Sequence, residues 1–462
     1  MRAPGAILFV ACYELGHQPL SLASPMGMLA QAGYRPVAVD TAVERLDSEQ
    51  VRQARFVAIS VPMHTAMRLG QRVAERVRAL NPDAHICFYG LYAVLNADKL
   101  LVRWADSVIG GEFEQPLLEL VQRLARGEPA HGPGVGVPGQ PAQPYLRRIP
   151  FAPPLRTALP PLERYAHLER NGQHSLAGYV EASRGCLHTC LHCPITPVYR
   201  GRFFVVPFEV VLEDIHTQVA MGARHITFGD PDFFNGPGHS MRIVRALHAE
   251  FPGVTFDATI KIEHILERRA LFPELAELGC AFVVSAVESL SDEVLARLAK
   301  GHTRADVEAA LDILEASGIP LRPSLVAFTP WTTMEGYLEV LTFVESHRLI
   351  QHIDPVQYTI RLLVPPGSAL LDQPGTAAWL GPLDAEAFTY RWEHPDPRMD
   401  DLYREVSALV ERATRGGWPT ERTFEAIKML AFEAAGQPLP EPSLAIPALK
   451  APAPRLTESW FC

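Results

Sequence analysis

Three of the seven cysteines fall within eight residues, in Ser183-Arg184-Gly185-Cys186-Leu187-His188-Thr189-Cys190-Leu191-His192-Cys193-Pro194, spaced Cys-x3-Cys-x2-Cys. Thiolates at such spacing hold metals, and two metals compete for this one. Structural zinc takes four ligands, usually in two pairs. No second Cys-x-x-Cys follows, so a zinc site needs a distant fourth ligand such as His188 or His192. A four-iron cluster is tied by cysteines alone. Three thiolates leave one iron without a protein ligand, and an open iron can bind and reduce a small molecule. Cys186, Cys190 and Cys193 are therefore the candidate metal ligands. Cys87 and Cys280 lie in or beside apolar runs and read as inert core thiols, and Cys12, at the end of an apolar run, reads as a small buried residue.

The residues around this motif predict the elements that position it. Residues 1–125 alternate short apolar runs (6–11, 36–39, 56–61, 86–89 and 107–109) with amphipathic stretches, clearest at 66–80 and 115–124. Five strands alternating with helices predict a doubly wound parallel sheet of α/β class. Ligands of such sheets sit at the carboxyl ends of the strands, here the loops at 12–17, 60–64, 89–92 and 110–112. Residues 126–175 are rich in Pro and Gly and predict an extended linker that buries no core. Alternation resumes over residues 176–370, with strands predicted at 178–182, 225–228, 255–259, 281–285, 321–327 and 355–361. Residues 371–437 predict a small helical segment, with helices at 384–392, 400–416 and 420–435, and 438–462 a proline-rich tail ending in Trp460-Phe461-Cys462.

The cluster motif resembles that of the radical S-adenosylmethionine (SAM) enzymes. That resemblance implies a partial (β/α)6 barrel whose cluster loop follows its first strand. Cys186, Cys190 and Cys193 would hold a [4Fe–4S] cluster, and the open iron would take the amino and carboxylate groups of SAM. It places His192 near the adenine. It carries Asp232, with Asp230 as competitor, to the amino group of SAM, and Ser285 and Glu288 of Ser285-Ala286-Val287-Glu288-Ser289 to its ribose or methionine portion. Lys300-Gly301 also fits the pattern, and Gln357 sits on the expected last strand. The first unit resembles the cobalamin-binding domain ahead of many radical SAM cores: Gly110-Gly111-Glu112 matches the glycine pair after the last strand, where a backbone without Cβ approaches a bulky ligand, and Ser60 matches the serine after the third. The Asp-x-His-x-x-Gly motif that supplies a lower cobalt ligand elsewhere is absent. Glu14-Leu15-Gly16-His17 has the wrong order.

A net charge of −10 and a pI near 5.9, with Lys and Arg dispersed, argue against a nucleic-acid partner. No apolar run approaches the length of a spanning helix, the N-terminus leads into a strand instead of a signal peptide, and the cysteine usage suits a reducing cytoplasm. The expected partners are a small-molecule substrate and a reductant such as flavodoxin or ferredoxin. The terminus resembles a radical SAM group whose tail continues with a second Cys, or selenocysteine, and then Ala-Glu-Pro. A selenocysteine codon read as a stop would leave this end, and Cys462 would then be half of a catalytic redox or soft-metal pair. A natural end with a free thiol is the alternative. The leading reading is cobalamin-dependent methyl transfer by a radical SAM enzyme. A radical SAM enzyme with a vestigial first domain, acting on a soft-element or other substrate, and a non-catalytic iron–sulfur carrier are the alternatives.

Overall fold

Short apolar runs with no polar face form the first sheet of this computed structural model, which describes residues 1–141, 143–438 and 452–458. Strands β1 (Ile7–Ala11), β3 (Phe56–Ser60) and β5 (Ser107–Ile109) are buried along their whole length, and β2 (Val37–Asp40) and β4 (His85–Tyr89) complete the parallel set. The order is β2-β1-β3-β4-β5, closed by the short antiparallel β6 (Val135–Gly136). Alternate residues feed two cores. Leu8, Val10, Val57 and Ile59 pack on one face with Met67 and Val77 of the helix His64–Leu80. Ile7, Phe9, Phe56 and Ala58 pack on the other with the helices Leu20–Gln31 and Glu114–Ala125. The chain order reverses between β1 and β3, a switch point where carboxyl-end loops diverge and leave a crevice.

The stretch 126–175 corrects the expectation of a linker without a core. It has little regular structure, yet Ile149, Ala152, Leu159, Leu162 and Tyr165 are buried. Composition there forbids a continuous ladder, not burial: the segment runs through the seam between the two units. Arg156, fully buried, holds Asp214 through two nitrogens at 2.8 Å and donates to the Gln18 carbonyl at 3.0 Å.

The second sheet is curled, with order β14-β13-β12-β11-β8-β7-β17. Its strands are β7 (His167–Arg170), β8 (Gln173–Val180), β11 (His225–Phe228), β12 (Thr255–Thr259), β13 (Cys280–Glu288), β14 (Leu321–Leu325) and β17 (Arg455–Leu456). The five from β8 to β14 are parallel, while β7 and β17 join antiparallel at one edge. A two-stranded ribbon, β9 (Ser183–Gly185) with β10 (Phe203–Val205), carries the chain out of β8 into the cluster motif. The sixth parallel strand expected at 355–361 is absent. Residues Pro355–Thr359 form a 3-10 turn, and one bridge between Phe328 and Arg361 remains. Pro355 lacks a ladder donor, and Gln357 turns its side-chain carbonyl to accept the Leu325 N–H at 2.9 Å, replacing the missing strand's backbone.

The helix expected at 384–392 is instead a hairpin, β15 (Leu380–Asp384) with β16 (Thr389–Trp392). Asp384 accepts the N–H groups of Glu386 and Ala387, and Phe388 adopts φ +56°, so the chain turns where a helix would continue. The helices Pro397–Arg415 and Thr420–Ala434 form as expected and cover the barrel core with Met399, Leu402, Val406, Phe424 and Ile427. The proline-rich tail is docked where it is described: β17 pairs with β7, and Leu456 packs against the cluster of Leu168, Ala281 and Phe282. Cys462 lies outside the described residues. Among the described residues no helix is long and apolar enough to cross a membrane.

Candidate active site

The cluster loop starts at a backbone position that only glycine tolerates. Gly185 has φ +74°, and a Cβ there would meet the Arg202 carbonyl oxygen at 2.4 Å and the Tyr199 ring at 2.5 Å. The loop is then pinned from outside. Cys186 N–H donates to the Arg202 carbonyl at 3.1 Å, and Leu187 N–H donates to Asn235 Oδ1 at 3.1 Å. Leu191 N–H reaches the Leu298 carbonyl at 2.9 Å. The three cysteines come within electrostatic reach of one another. Burial, and then the neighbouring thiols, push Cys193 up to about 12, and burial also raises Cys186. Metal ligation requires the thiolate, so binding a cation here displaces the protons that burial favours on Cys186 and Cys193.

The end of β13 supplies the next group. Glu288 sits in the left-handed region at φ +64°, beside a register shift against β14, a strained position for a residue with a side chain. Burial opposes its charge, but Lys300 Nζ at 3.2 Å and His192 Nε2 at 3.1 Å overcome this and hold it down to about 2. His192, expected near an adenine, is thus engaged with Glu288. Ser285 is fully buried on the same strand, and its hydroxyl has no hydrogen-bond partner. Gln357, carried to the cofactor from the expected last strand, accepts the Leu325 N–H of β14 with its side-chain carbonyl.

The loop after β11 separates its two acids. Asp230 accepts from Ser183 Oγ at 2.6 Å and from Ala182 N–H at 2.9 Å, so it braces the strand before the cluster loop. Burial pushes it up to about 7. Asp232 faces two histidines, with Oδ2 2.7 Å from His264 Nδ1 and 3.4 Å from His188 Nε2. Burial opposes its charge, yet those partners bring it to about 2, and Asp232 in turn raises His264. Nothing in the sequence pattern marks His264, because it reaches the site only through the packing of the helix Ile262–Glu267.

The strand ends of the first sheet face the barrel. A cavity of about 210 Å³ is lined by Glu14, Ser60, Met63, Gly90 and Gly111 on one side, and by Tyr179, Glu181, Gly185 and Pro231 on the other. A larger one of about 640 Å³, which shares Glu14 and His17 as wall, extends past Cys12, Asp40 and Arg68 to Thr457 and Glu458. All four loops expected to line the gap contribute to the first cavity. Ser60 Oγ donates to Ser21 Oγ at 2.6 Å, and Ser21 hydrogen-bonds the half-buried Glu14, whose desolvation pushes it up to about 8. Gly111 lines the first cavity, but the spaces that a Cβ would take at Gly110 and Gly111 are occupied. A Cβ on Gly110 would meet Val94 at 2.4 Å, and one on Gly111 the Tyr145 carbonyl at 2.5 Å, so the chain itself fills the space. Their neighbour Glu112 joins an ion network missed from sequence: Arg184 meets Glu114 at 2.6 Å, Glu181 at 2.7 Å and Glu112 at 3.7 Å, and Tyr199 donates to Glu112 at 3.0 Å. Burial of the groups and their separation in sequence hide such networks.

Residues 180–337 match the Radical SAM superfamily. The chain is 21% identical over 345 residues to an uncharacterised methyltransferase of Pyrococcus horikoshii, spanning 73% of this chain and 70% of that one. It is 28% identical over 199 residues to a ribosomal protein uS12 methylthiotransferase of Geobacter sulfurreducens, covering 38% of this chain and 41% of that protein, less than half its length. In fold it resembles OxsB, a cobalamin-dependent SAM radical enzyme solved with aqua-cobalamin (TM-score 0.70, 15% identity, 88% of this chain and 67% of that one). It also resembles the radical SAM methyltransferase TsrM of Kitasatospora setae, solved with cobalamin and a [4Fe–4S] cluster (TM-score 0.60, 16% identity, 74% and 73%). A radical SAM domain implies a [4Fe–4S] cluster and SAM. The residues present fit both: three thiols on one pinned loop, Cys190 buried and Cys186 and Cys193 partly so, and beyond them an unpartnered hydroxyl at Ser285. The chain therefore carries a radical SAM domain over residues 180–337, and it is an enzyme.

Proposed function

We propose that this enzyme transfers a methyl group from SAM to a small-molecule substrate with the help of cobalamin bound in the seam. The carrying observation is that one cavity is lined both by Gly185, the residue before the first cluster cysteine, and by loops after β1, β3, β4 and β5. Methyl donor and acceptor must share one dry space, and this seam is where the two halves meet. Bound cobalamin supplies a nucleophilic cobalt and a methyl carrier. The chain's residues do the rest. Cys186, Cys190 and Cys193 hold the cluster. Lys300 and His192 keep Glu288 ionised and aimed, and Glu288 and Ser285 take the polar part of SAM. Ser60 and Glu14 offer hydrogen bonds at the corrin's rim, and the Arg184 network seals the seam from water. A small cytoplasmic carrier such as flavodoxin or ferredoxin provides electrons.

The filling of the Gly110–Gly111 space by Val94 and Tyr145 favours a second reading, a radical SAM enzyme whose first unit is empty. Anaerobic purification with hydroxocobalamin, followed by corrin absorbance and product analysis, separates the two. The proposal expects bound corrin and S-adenosylhomocysteine. Protein without corrin that still forms 5′-deoxyadenosine selects the second reading.

A further inference from the structure

Beside the cluster loop, the described residues bring together a second donor set. Asp232 Oδ2, His264 Nδ1 and His188 Nε2 all lie within 4.8 Å of one another. They come from three elements: the turn after β11, the helix Ile262–Glu267 and the cluster loop itself. All three atoms are buried, and none has a partner with hydrogen-bond geometry, although His264 and Asp232 approach to 2.7 Å. Buried polar atoms left without hydrogen bonds call for an explanation, and three lone-pair donors converging on one point fit a shared cation. The Glu263 carboxylate beside His188 and the backbone donors to Asp232 are of the kind that orient metal ligands. Asp232 Oδ1 accepts the backbone N–H groups of Phe234 and Lys261, each at 3.3 Å. His188 Nδ1 faces Glu263 Oε2 at 3.4 Å and Lys261 Nζ at 3.1 Å.

The geometry points to a mononuclear site for a divalent transition-metal ion, held by His188, Asp232 and His264 and separate from the iron–sulfur cluster. Two imidazoles and one carboxylate suit Zn²⁺, Fe²⁺ or Co²⁺, whereas Mg²⁺ and Ca²⁺ take oxygen ligands. Three protein ligands leave positions open on such an ion, as catalytic sites do. His188 stands between Cys186 and Cys190, so the ion and the cluster share one loop. The site commits Asp232 and leaves the amino group of SAM to the open iron. The competing account is an ion pair of protonated His264 with Asp232, which needs no metal.

Cobalt binding decides between them, without cobalamin or turnover. Full-length protein with its cluster reconstituted and oxidised is desalted anaerobically and titrated with Co²⁺. The oxidised cluster is diamagnetic, so high-spin Co²⁺ is visible by EPR. The expected result is one Co²⁺ per chain on nitrogen and oxygen ligands, competed away by Zn²⁺. H264A and D232N remove ligands and should each weaken it by at least the roughly 10–100-fold that loss of an outer partner costs, with cluster iron content unchanged. No stoichiometric Co²⁺ on the wild-type protein would overturn the site, as would cobalt seen on thiolate or held equally well by both variants. The wild-type stoichiometry and ligand type decide the matter even if a variant does not fold.

Discussion

Ser285 carries a buried hydroxyl with nothing to bond, and that makes it a sensitive residue to change. Ser285→Ala removes an unsatisfied group, so the SAM-free protein is expected to melt no lower than wild type. A hydroxyl that bonds SAM is worth about 1 kcal/mol, so the same variant should bind SAM several-fold more weakly by calorimetry. Unchanged affinity would remove Ser285 from the SAM site. Glu14 gives a pH signature. Burial raises its folded pKa to about 8 from an ordinary 4.5, so the folded chain holds a proton that the unfolded chain releases. Its contribution is fully present below the unfolded pKa and is lost as pH rises toward 8. The melting temperature of the ligand-free protein should therefore fall between pH 5 and pH 8, and Glu14→Gln should flatten that slope. Asp232 and Glu288, held near 2, act oppositely and lose their contribution only in acid.

At the scale of elements, one part of the seam is held by a cation among three carboxylates. Arg184 leaves the short ribbon before the cluster loop to meet Glu112 and Glu114 from the first unit and Glu181 from the second. Arg184→Met strands buried acids, an error that costs about 3–5 kcal/mol. Thermal unfolding should show it, together with weaker cluster retention measured as iron per chain. A variant with wild-type stability would mean that the acids are simply protonated in its absence. The β17 edge is a lighter connection. Leu456 is partly buried against Leu168 and Phe282, so Leu456→Ala should lower stability by about 1 kcal/mol by denaturant titration, below the range for full core sites.

Across the whole molecule, the two units share walls more than they share a core. The proposed ligand touches both, since Gly111 and Gly185 line one cavity. Cobalamin at about a hundred times its dissociation constant should stabilise the fold by about 2.7 kcal/mol, moving the unfolding of both units upward together in calorimetry. A shift confined to one transition would place the corrin away from the seam.

Some of this was legible without coordinates. The Cys-x3-Cys-x2-Cys spacing carried the chemistry, because ligands close in sequence must be close in space. Apolar runs buried on both faces carried the parallel sheets, because period and hydrophobicity act locally. Other features were decided only by the tertiary structure. The sixth strand failed because Gln357 could satisfy Leu325 with its side chain. The linker became a buried seam because a second surface was there to receive Leu159 and Leu162. The glycine pair turned out to admit Val94 and Tyr145, and His264 met Asp232 across a loop. Each of these depends on contacts between residues far apart in the chain, which folding creates and which no local pattern encodes.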